Sequence, residues 1–263
     1  YRDFYGQFLY NGFVDLKRLW ESIKSPLLFL GRTIALLPSA RKSRRKILES
    51  MYSIGNQSLV FIALTLAFLG LILVYQASYQ ALKVLPDLTP VGPVFIGTMV
   101  RVFGPTVVAL MLATRVGAGI AAETGSMTVT DQIEAMKVTN ADPVEYLVVP
   151  RFIASIIMMI VLWVFGVLVA VAAGTLIGTL RFGIQLRTFL SLSGTTMSDV
   201  WVALFKCVIF GAAIPILAAD SGFKATGGSE GVGWATTKAV VHSLFTVILL
   251  DFLISSIAYR FGW

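Results

Sequence analysis

The chain has 263 residues, of which 57% are hydrophobic and only 13% are charged. Soluble domains carry about 25% charged residues, and a soluble fold of this size has no means of burying so much apolar surface. The net charge is +7. Five of the basic residues form a cluster just before a long apolar run, and we interpret this cluster as a membrane-orienting signal and not as a nucleic-acid-binding surface.

The N-terminal residues 1–50 lack the pattern of a spanning segment. Apolar side chains recur at near-helical spacing over residues 8–23 with charged residues between them, which is typical of a helix lying in the plane of the membrane interface. We predict that Pro26 ends this helix, and the apolar stretch 27–37 is too short to cross alone. A basic cytoplasmic flank follows, made of Arg41, Lys42, Arg44, Arg45 and Lys46.

Five long apolar segments come next, each near or above the roughly 20 residues that cross a bilayer. They cover residues 52–78, 93–121, 151–180, 200–219 and 239–259. The basic flank places residue 50 in the cytoplasm, so loops 122–150 and 220–238 are predicted inside, and loops 79–92 and 181–199 outside.

The predicted fold class is an all-α membrane protein with an N-terminal interfacial helix and five transmembrane helices, N-in and C-out. We divide it into residues 1–50, the amphipathic elbow with its basic flank, and residues 51–263, the five-helix domain.

Three charged residues interrupt the apolar runs, namely Arg101, Lys206 and Asp251. Charges at this depth are costly, so they tend to pair and to face the interior of a bundle. Counting along the helices places all three about 9–12 Å below the outer ends, in one layer. Pro105 lies four residues after Arg101 and leaves that residue's carbonyl without its helical donor. The layer is either a salt-bridged strut between three helices or the border of a lipid path, to which a net charge of +1 would attract an anionic headgroup.

A stripe of small residues follows the third crossing at intervals of four, which places its members on one helix face. The stripe consists of Gly166, Ala170, Gly174 and Gly178. Small side chains allow close approach of two helices, and the second helix belongs either to the same chain or to a second copy.

The loop after the second crossing contains signals for a short helix near residues 130–138. Thr130 is predicted to cap it, and Asp131 and Glu134 in its first turn suit the positive end of the helix dipole. Ile133 and Met136 share an apolar face, whose partner is either lipid or a soluble protein. A second start signal follows, with Asp142 as cap, Pro143 at the first helical position and Glu145 three residues after the cap.

Several kinds of chemistry lack the residues that they need. The sequence has one histidine and one cysteine, too few for a histidine metal cluster or an intrachain disulfide. The Gly-rich stretch 227–233 lacks the Lys-Ser/Thr ending of a phosphate loop. We expect no cofactor and no enzyme activity, although an intramembrane lipid-modifying enzyme and an ion-coupled secondary carrier both remain open as alternatives.

The motifs, taken in order, resemble the MlaE/YrbE permease family. The resemblance covers nearly all of the chain after residue 50, with Val102 where the family pattern has Glu. It rests on Arg101 to Pro105, Ala113 to Met127, Thr130 to Met136, Ala141 to Pro143, Val149 to Arg151, the Gly-rich loop, Ala235 to Ser243 and Asp251.

This resemblance implies a homodimeric permease of an ABC-type transporter in the bacterial inner membrane, in preference to a plastid envelope. Its implied partners are a cytoplasmic ATPase that uses ATP and Mg²⁺, a Mce-domain protein on the outer side, and phospholipid or a related lipid. The 130–138 helix would be the coupling helix, which touches the ATPase through Asp131, Ile133, Glu134 and Met136.

Overall fold

The computed structural model describes residues 24–38, 43–84, 87–260 and 262. The interfacial helix predicted over residues 8–23 lies outside this part of the chain, as do Arg41 and Lys42. Within the described ranges the chain forms helices and connecting loops without any β-strand.

Eight helices make up the described part of the chain. They are α1 (residues 24–35), α2 (Arg44–Val84), α3 (Val91–Val129), α4 (Gln132–Val138), α5 (Val144–Phe182), α6 (Leu186–Phe189), α7 (Met197–Gly222) and α8 (Gly228–Arg260). Five of these, α2, α3, α5, α7 and α8, are long and apolar enough to cross a membrane. The protein is therefore an all-α, multi-pass membrane protein, as the sequence predicted.

The helices extend beyond the apolar runs. Arg44, Arg45 and Lys46 of the basic flank form the first turn of α2, because Lys and Arg are good helix formers. This helix runs through position 50, so the predicted boundary between residues 1–50 and 51–263 falls inside a continuous helix. Five crossings leave the start of α2 and the end of α8 at opposite ends of the bundle. We call them the Arg44 end and the Arg260 end.

Helix α3 is continuous but not uniform. It contains π-helical turns at Met99–Phe103 and Ala113–Gly117. Pro105 follows the first of these turns and lies in the opening turn of the α-helical stretch Gly104–Leu112. Proline lacks an N–H group, and a π-helical turn is a usual way for a helix to absorb such a missing bond.

The most extensive helix pairing joins α2 and α5, which run parallel. The small-residue stripe of α5 is buried here: a Cβ on Gly166 would meet Leu66, and one on Gly174 would meet Val74 at 2.8 Å. Gly70 of α2 sits directly against the backbone of Ala170. The stripe is thus contact within one chain, where sequence alone had left a dimer seam equally open.

Helix α1 docks across the Arg44 end. Ser25 donates a hydrogen bond of 2.7 Å to Asp220 near the end of α7, and Arg32 forms an ion pair of 2.9 Å with Asp142 before α5. Pro26 was predicted to end a helix but lies within α1, in the first turn of its described part. The stretch 27–37 belongs mostly to this one helix, which is held to the end of α7 and to the residues before α5, and its exposed Leu27 and Leu28 face away from the bundle.

Candidate functional site

The three intramembrane charges lie in one layer. Arg101 is ten residues after the start of α3, Lys206 nine after the start of α7, and Asp251 nine before the end of α8. Each is therefore at a similar depth from the Arg260 end, as the sequence predicted by counting residues.

Lys206 is the centre of the layer. Its ammonium forms an ion pair of 2.7 Å with Asp251 and its side chain is 0% exposed. It also donates to the Ser255 hydroxyl at 2.8 Å and to the Arg101 carbonyl at 3.3 Å. Pro105 has no N–H group to donate to this carbonyl in the usual helical pattern, and Lys206 donates to it from α7. The structure thus brings Lys206 and Asp251 together as a strut between α7 and α8.

Arg101 has a partner that the sequence analysis missed. Its guanidinium forms an ion pair of 2.7 Å with Asp199, and both side chains are at least 86% buried. It also lies 4.4 Å from the centre of the Tyr259 ring. Asp199 had been assigned to the outer loop, but it is in the first turn of α7, where Thr196 and Asp199 form a capping box. The pattern Thr-x-x-Asp ahead of an apolar run is a signal for such a start.

Asp199 changes the charge of the layer. Two cations now face two carboxylates, so the expected net charge of +1 is wrong and the described layer is neutral. Thr106 of α3 donates a further hydrogen bond of 2.9 Å to Asp251. The layer therefore ties α3, α7 and α8 together, and it does not present an excess of positive charge to a lipid.

An apolar groove of about 760 Å³ opens beside this layer, between α7 and α8. Phe205 precedes Lys206 in the chain, and Ile254 follows Asp251 by one helical turn. Trp201 and Phe205 are 65% and 58% exposed. The groove is lined by Trp201, Val202, Leu204, Phe205, Val208, Ile254, Ile257 and Ala258.

The short helix predicted near residues 130–138 is present as α4, at the Arg44 end. Thr130 does not cap it, because its hydroxyl donates to the Ser126 carbonyl at the end of α3. Asp131 occupies the cap position with a left-handed backbone, φ +58°, and without a side-chain capping bond. Its short side chain tolerates this conformation better than most.

The two faces of α4 differ in what they can contact. Ile133 is only 5% exposed and packs into the chain's own core. Its side chain is therefore not available to a partner, contrary to our expectation. Met136 is half-buried, whereas Asp131 and Glu134 are exposed. Val138 is 87% exposed and adds an apolar contact on the outer face that the sequence analysis did not select.

The second start signal of this loop begins a helix one residue later than predicted, with Pro143 at the cap position and Val144 as the first helical residue. Asp142 accepts the Val144 N–H at 2.9 Å, and its other oxygen accepts Arg32 of α1. One carboxylate therefore begins α5 and holds α1 in place.

Comparison with known proteins gives consistent matches along the chain. The sequence model of the family described as "Permease MlaE" matches residues 47–257. A protein of Synechocystis sp. named "Probable ABC transporter permease protein" is 32% identical over 245 residues, covering 92% of this chain and 93% of its own length. The "Intermembrane phospholipid transport system permease protein MlaE" of Haemophilus influenzae is 32% identical over 228 residues, covering 86% of this chain and 87% of its own.

A plant protein is similar as well. "Protein TRIGALACTOSYLDIACYLGLYCEROL 1, chloroplastic" of Arabidopsis thaliana is 28% identical over 246 residues, covering 93% of this chain and 70% of its own.

Proposed function

This chain belongs to the MlaE permease family, and from that premise we propose that it is the membrane subunit of an ABC-type transporter of phospholipid or a related lipid. It moves the lipid between the bacterial inner membrane and the outer envelope. A separate ATPase subunit hydrolyses ATP with Mg²⁺, so this chain binds no cofactor and catalyses no covalent chemistry. The Haemophilus relative is named for intermembrane phospholipid transport, which supports the choice of cargo.

The observation that carries this proposal is the apolar groove beside the charge layer. Its volume of about 760 Å³ is within the range of ligand sites, roughly 300–1,000 Å³, and its lining suits acyl chains. The adjoining ion pairs hold α3, α7 and α8, and with them the walls of the groove, in a fixed arrangement. A second copy of the chain completes the groove, and a Mce-domain protein receives or delivers lipid at the Arg260 end.

The Arg44 end is proposed to face the cytoplasm, since Arg44, Arg45 and Lys46 open α2 and positive flanks favour that side. A cysteine introduced at the exposed Ser229, after Cys207→Ser, is expected to react with a membrane-impermeant maleimide only in inside-out vesicles. A cysteine at the exposed Leu192, beyond α6, is expected to react only in right-side-out vesicles. The reverse labelling pattern would contradict the orientation.

We infer that α4 is the docking element for the ATPase. Glu134 and Val138 lie on its outer face, while Ile133 anchors the helix in the chain's own core and transmits its position. A helix that binds an anionic membrane surface would carry mainly Lys and Arg on its outer face, whereas α4 presents Asp131 and Glu134 beside a single cation, Lys137.

The proposed function and the docking element are tested together on the complex from its native membrane. An ATPase is expected to copurify with the full chain, and the complex is expected to transfer phospholipid between vesicles only when ATP is present. Glu134→Lys reverses a charge at the docking surface, so we expect it to reduce copurified ATPase by roughly tenfold, the loss of a well-placed charge contact. Quantitative mass spectrometry of the purified complex measures the ratio of the subunits.

Glu230→Lys is the matched control, because Glu230 is also exposed at the Arg44 end and lies in the first turn of α8. This variant is expected to retain the ATPase. Absence of an ATPase from the wild-type complex would overturn the transporter and favour an ion-coupled carrier or an intramembrane enzyme. Normal copurification and hydrolysis in Glu134→Lys would remove only α4 from the docking surface.

A further inference from the structure

A polar cavity of about 460 Å³ lies at the Arg44 end, between α2, α3 and α5. It shares no lining residue with the apolar groove, which opens toward the Arg260 end. Two separated parts of the motif string that marks the family line it, Arg115 to Glu123 on α3 and Pro150 with Arg151 on α5. The transport proposal gives these motifs no role.

Buried hydrogen-bonding atoms around this cavity lack partners. Lys46 Nζ, Ser58 Oγ and Arg151 Nη1 are all buried, and each is without a hydrogen-bond partner among the described residues. All three residues line the cavity. Buried donors are almost always satisfied in folded proteins, so three in one cavity indicate a ligand that accepts hydrogen bonds.

The charges of the lining point to an anion. Three cations, on Lys46, Arg115 and Arg151, share the cavity with the carboxylates of Glu49 and Glu123. Both carboxylates have partners already: Glu49 accepts Arg45 at 2.9 Å and Glu123 accepts the Arg151 Nη2 at 2.5 Å.

The other two cations have contacts with aromatic rings. The Lys46 ammonium lies over the ring of Tyr146, and the Arg115 guanidinium is 4.9 Å from the centre of the Phe61 ring. No carboxylate of the described chain forms an ion pair with either cation. Both remain available to an anion that has several acceptor oxygens, and phosphate has this character.

The depth of the cavity matches a lipid headgroup. The lining residues of α2 end at Ser58, and the sequence of α2 is almost entirely apolar from Leu59 to Val74. The cavity thus lies where the polar and apolar parts of α2 meet. Phe61, Leu64 and Phe68 follow on one exposed face, each at least 55% exposed, and provide an apolar track for the chains of a lipid whose headgroup occupies the cavity.

We propose that this cavity binds the phosphate headgroup of a phospholipid from the leaflet at the Arg44 end. Lys46 and Arg115 pair with the phosphate, while Arg151 Nη1 and the Ser58 hydroxyl donate to its oxygens. The proposal rests on the proposed function only in taking phospholipid as a ligand of this chain. It requires neither ATP nor a partner.

The test uses the full chain in nanodiscs of digalactosyldiacylglycerol, which has no phosphate. The probe is phosphatidylglycerol with a photoreactive acyl chain, and peptide mass spectrometry locates the crosslinks. We expect labelling of α2 over residues 59–68. Lys46→Gln combined with Arg115→Gln is expected to lower this labelling by roughly tenfold, the loss typical of two partly hydrated charge-assisted bonds.

The matched control is Arg44→Gln combined with Lys137→Gln, which removes the same charge from the same end of the bundle. Neither residue lines the cavity, so labelling should be unchanged. If the cavity double variant does not fold, Lys46→Gln alone should show the same effect at smaller size. Diacylglycerol with the same photoreactive chain should leave residues 59–68 unlabelled.

Three results would overturn the proposal. Equal labelling by diacylglycerol would show that the surface selects acyl chains alone. Equal labelling of the cavity variant and the control would show that the cations do not bind the headgroup. Loss of labelling in inorganic phosphate, but not in chloride at matched ionic strength, would assign the site to free phosphate. Copurification of the ATPase decides the transport function separately, so the two proposals can fail independently.

Discussion

Lys206→Met is expected to lower the free energy of unfolding by about 3–5 kcal/mol, the range for removing one partner of a buried ion pair. The Lys206 side chain is 0% exposed. Its ammonium forms an ion pair with Asp251 and donates hydrogen bonds to Ser255 and to the Arg101 carbonyl. Methionine fills a similar volume but leaves the Asp251 carboxylate with Thr106 as its described donor. Reversible unfolding in mixed detergent micelles, followed by circular dichroism, measures the loss, and lipid transfer by the complex should fail with it.

Lys224→Met is the matched control for this change. Lys224 is in the same region of the chain, just past the end of α7, and forms an ion pair with Asp220, but its side chain is 49% exposed. Exposed pairs contribute only about 0–1 kcal/mol, so Lys224→Met should change the free energy of unfolding by no more than this.

A double-mutant cycle of Lys206→Met with Asp251→Leu tests the pair directly. The loss of unfolding free energy in the double variant should be smaller than the sum of the two single losses by about 0.5–3 kcal/mol. Strictly additive losses would show that Lys206 and Asp251 do not interact.

Gly70→Ala is expected to lower the free energy of unfolding by about 1–3 kcal/mol, the usual cost of overpacking. The added methyl group would meet the carbonyl oxygen and the Cα of Ala170. These are backbone atoms, which have no rotamer to change, so α2 and α5 would have to move apart along their whole contact. The same unfolding measurement in micelles applies.

Gly233→Ala in α8 is the comparison for Gly70→Ala, since a Cβ there meets nothing within 4 Å. Alanine favours a helix over glycine by up to about 1 kcal/mol, so this variant should be neutral or slightly more stable. Equal stabilisation by both changes would mean that α2 and α5 do not approach as closely as the structure shows.

The sequence predicted the number of crossings and the depth of the charge layer because both depend on local features. An apolar run of sufficient length must cross, and residue counts convert to depth through the rise of a helix. Asp199 was missed because the apolar run starts at Val200, whereas the helix begins at its cap, Thr196. Including that capping signal would have revealed the second ion pair and the neutral charge of the layer.

Other features depend on tertiary contacts that periodicity cannot supply. The spacing of Gly166 and Gly174 identifies a helix face but not the helix that packs on it. In α4 the spacing places Ile133 and Met136 on one side, yet whether that side meets the chain's own core or a partner depends on α1 and α5. The polar cavity is built from three helices far apart in sequence, so only the folded arrangement could show that Lys46 and Arg115 face the same space.

The docking of α1 has a consequence for the order in which the protein is made. Ser25 bonds to Asp220, which is 195 residues later in the chain, and Arg32 pairs with Asp142, which is 110 residues later. A ribosome adds about 5–20 residues per second, so α1 emerges many seconds before either partner exists. During that interval its apolar face has no protein to cover it, and the membrane surface must hold it. Helix α1 is thus made early but is among the last elements to reach its place, because it docks only after both Asp142 and Asp220 have been synthesised.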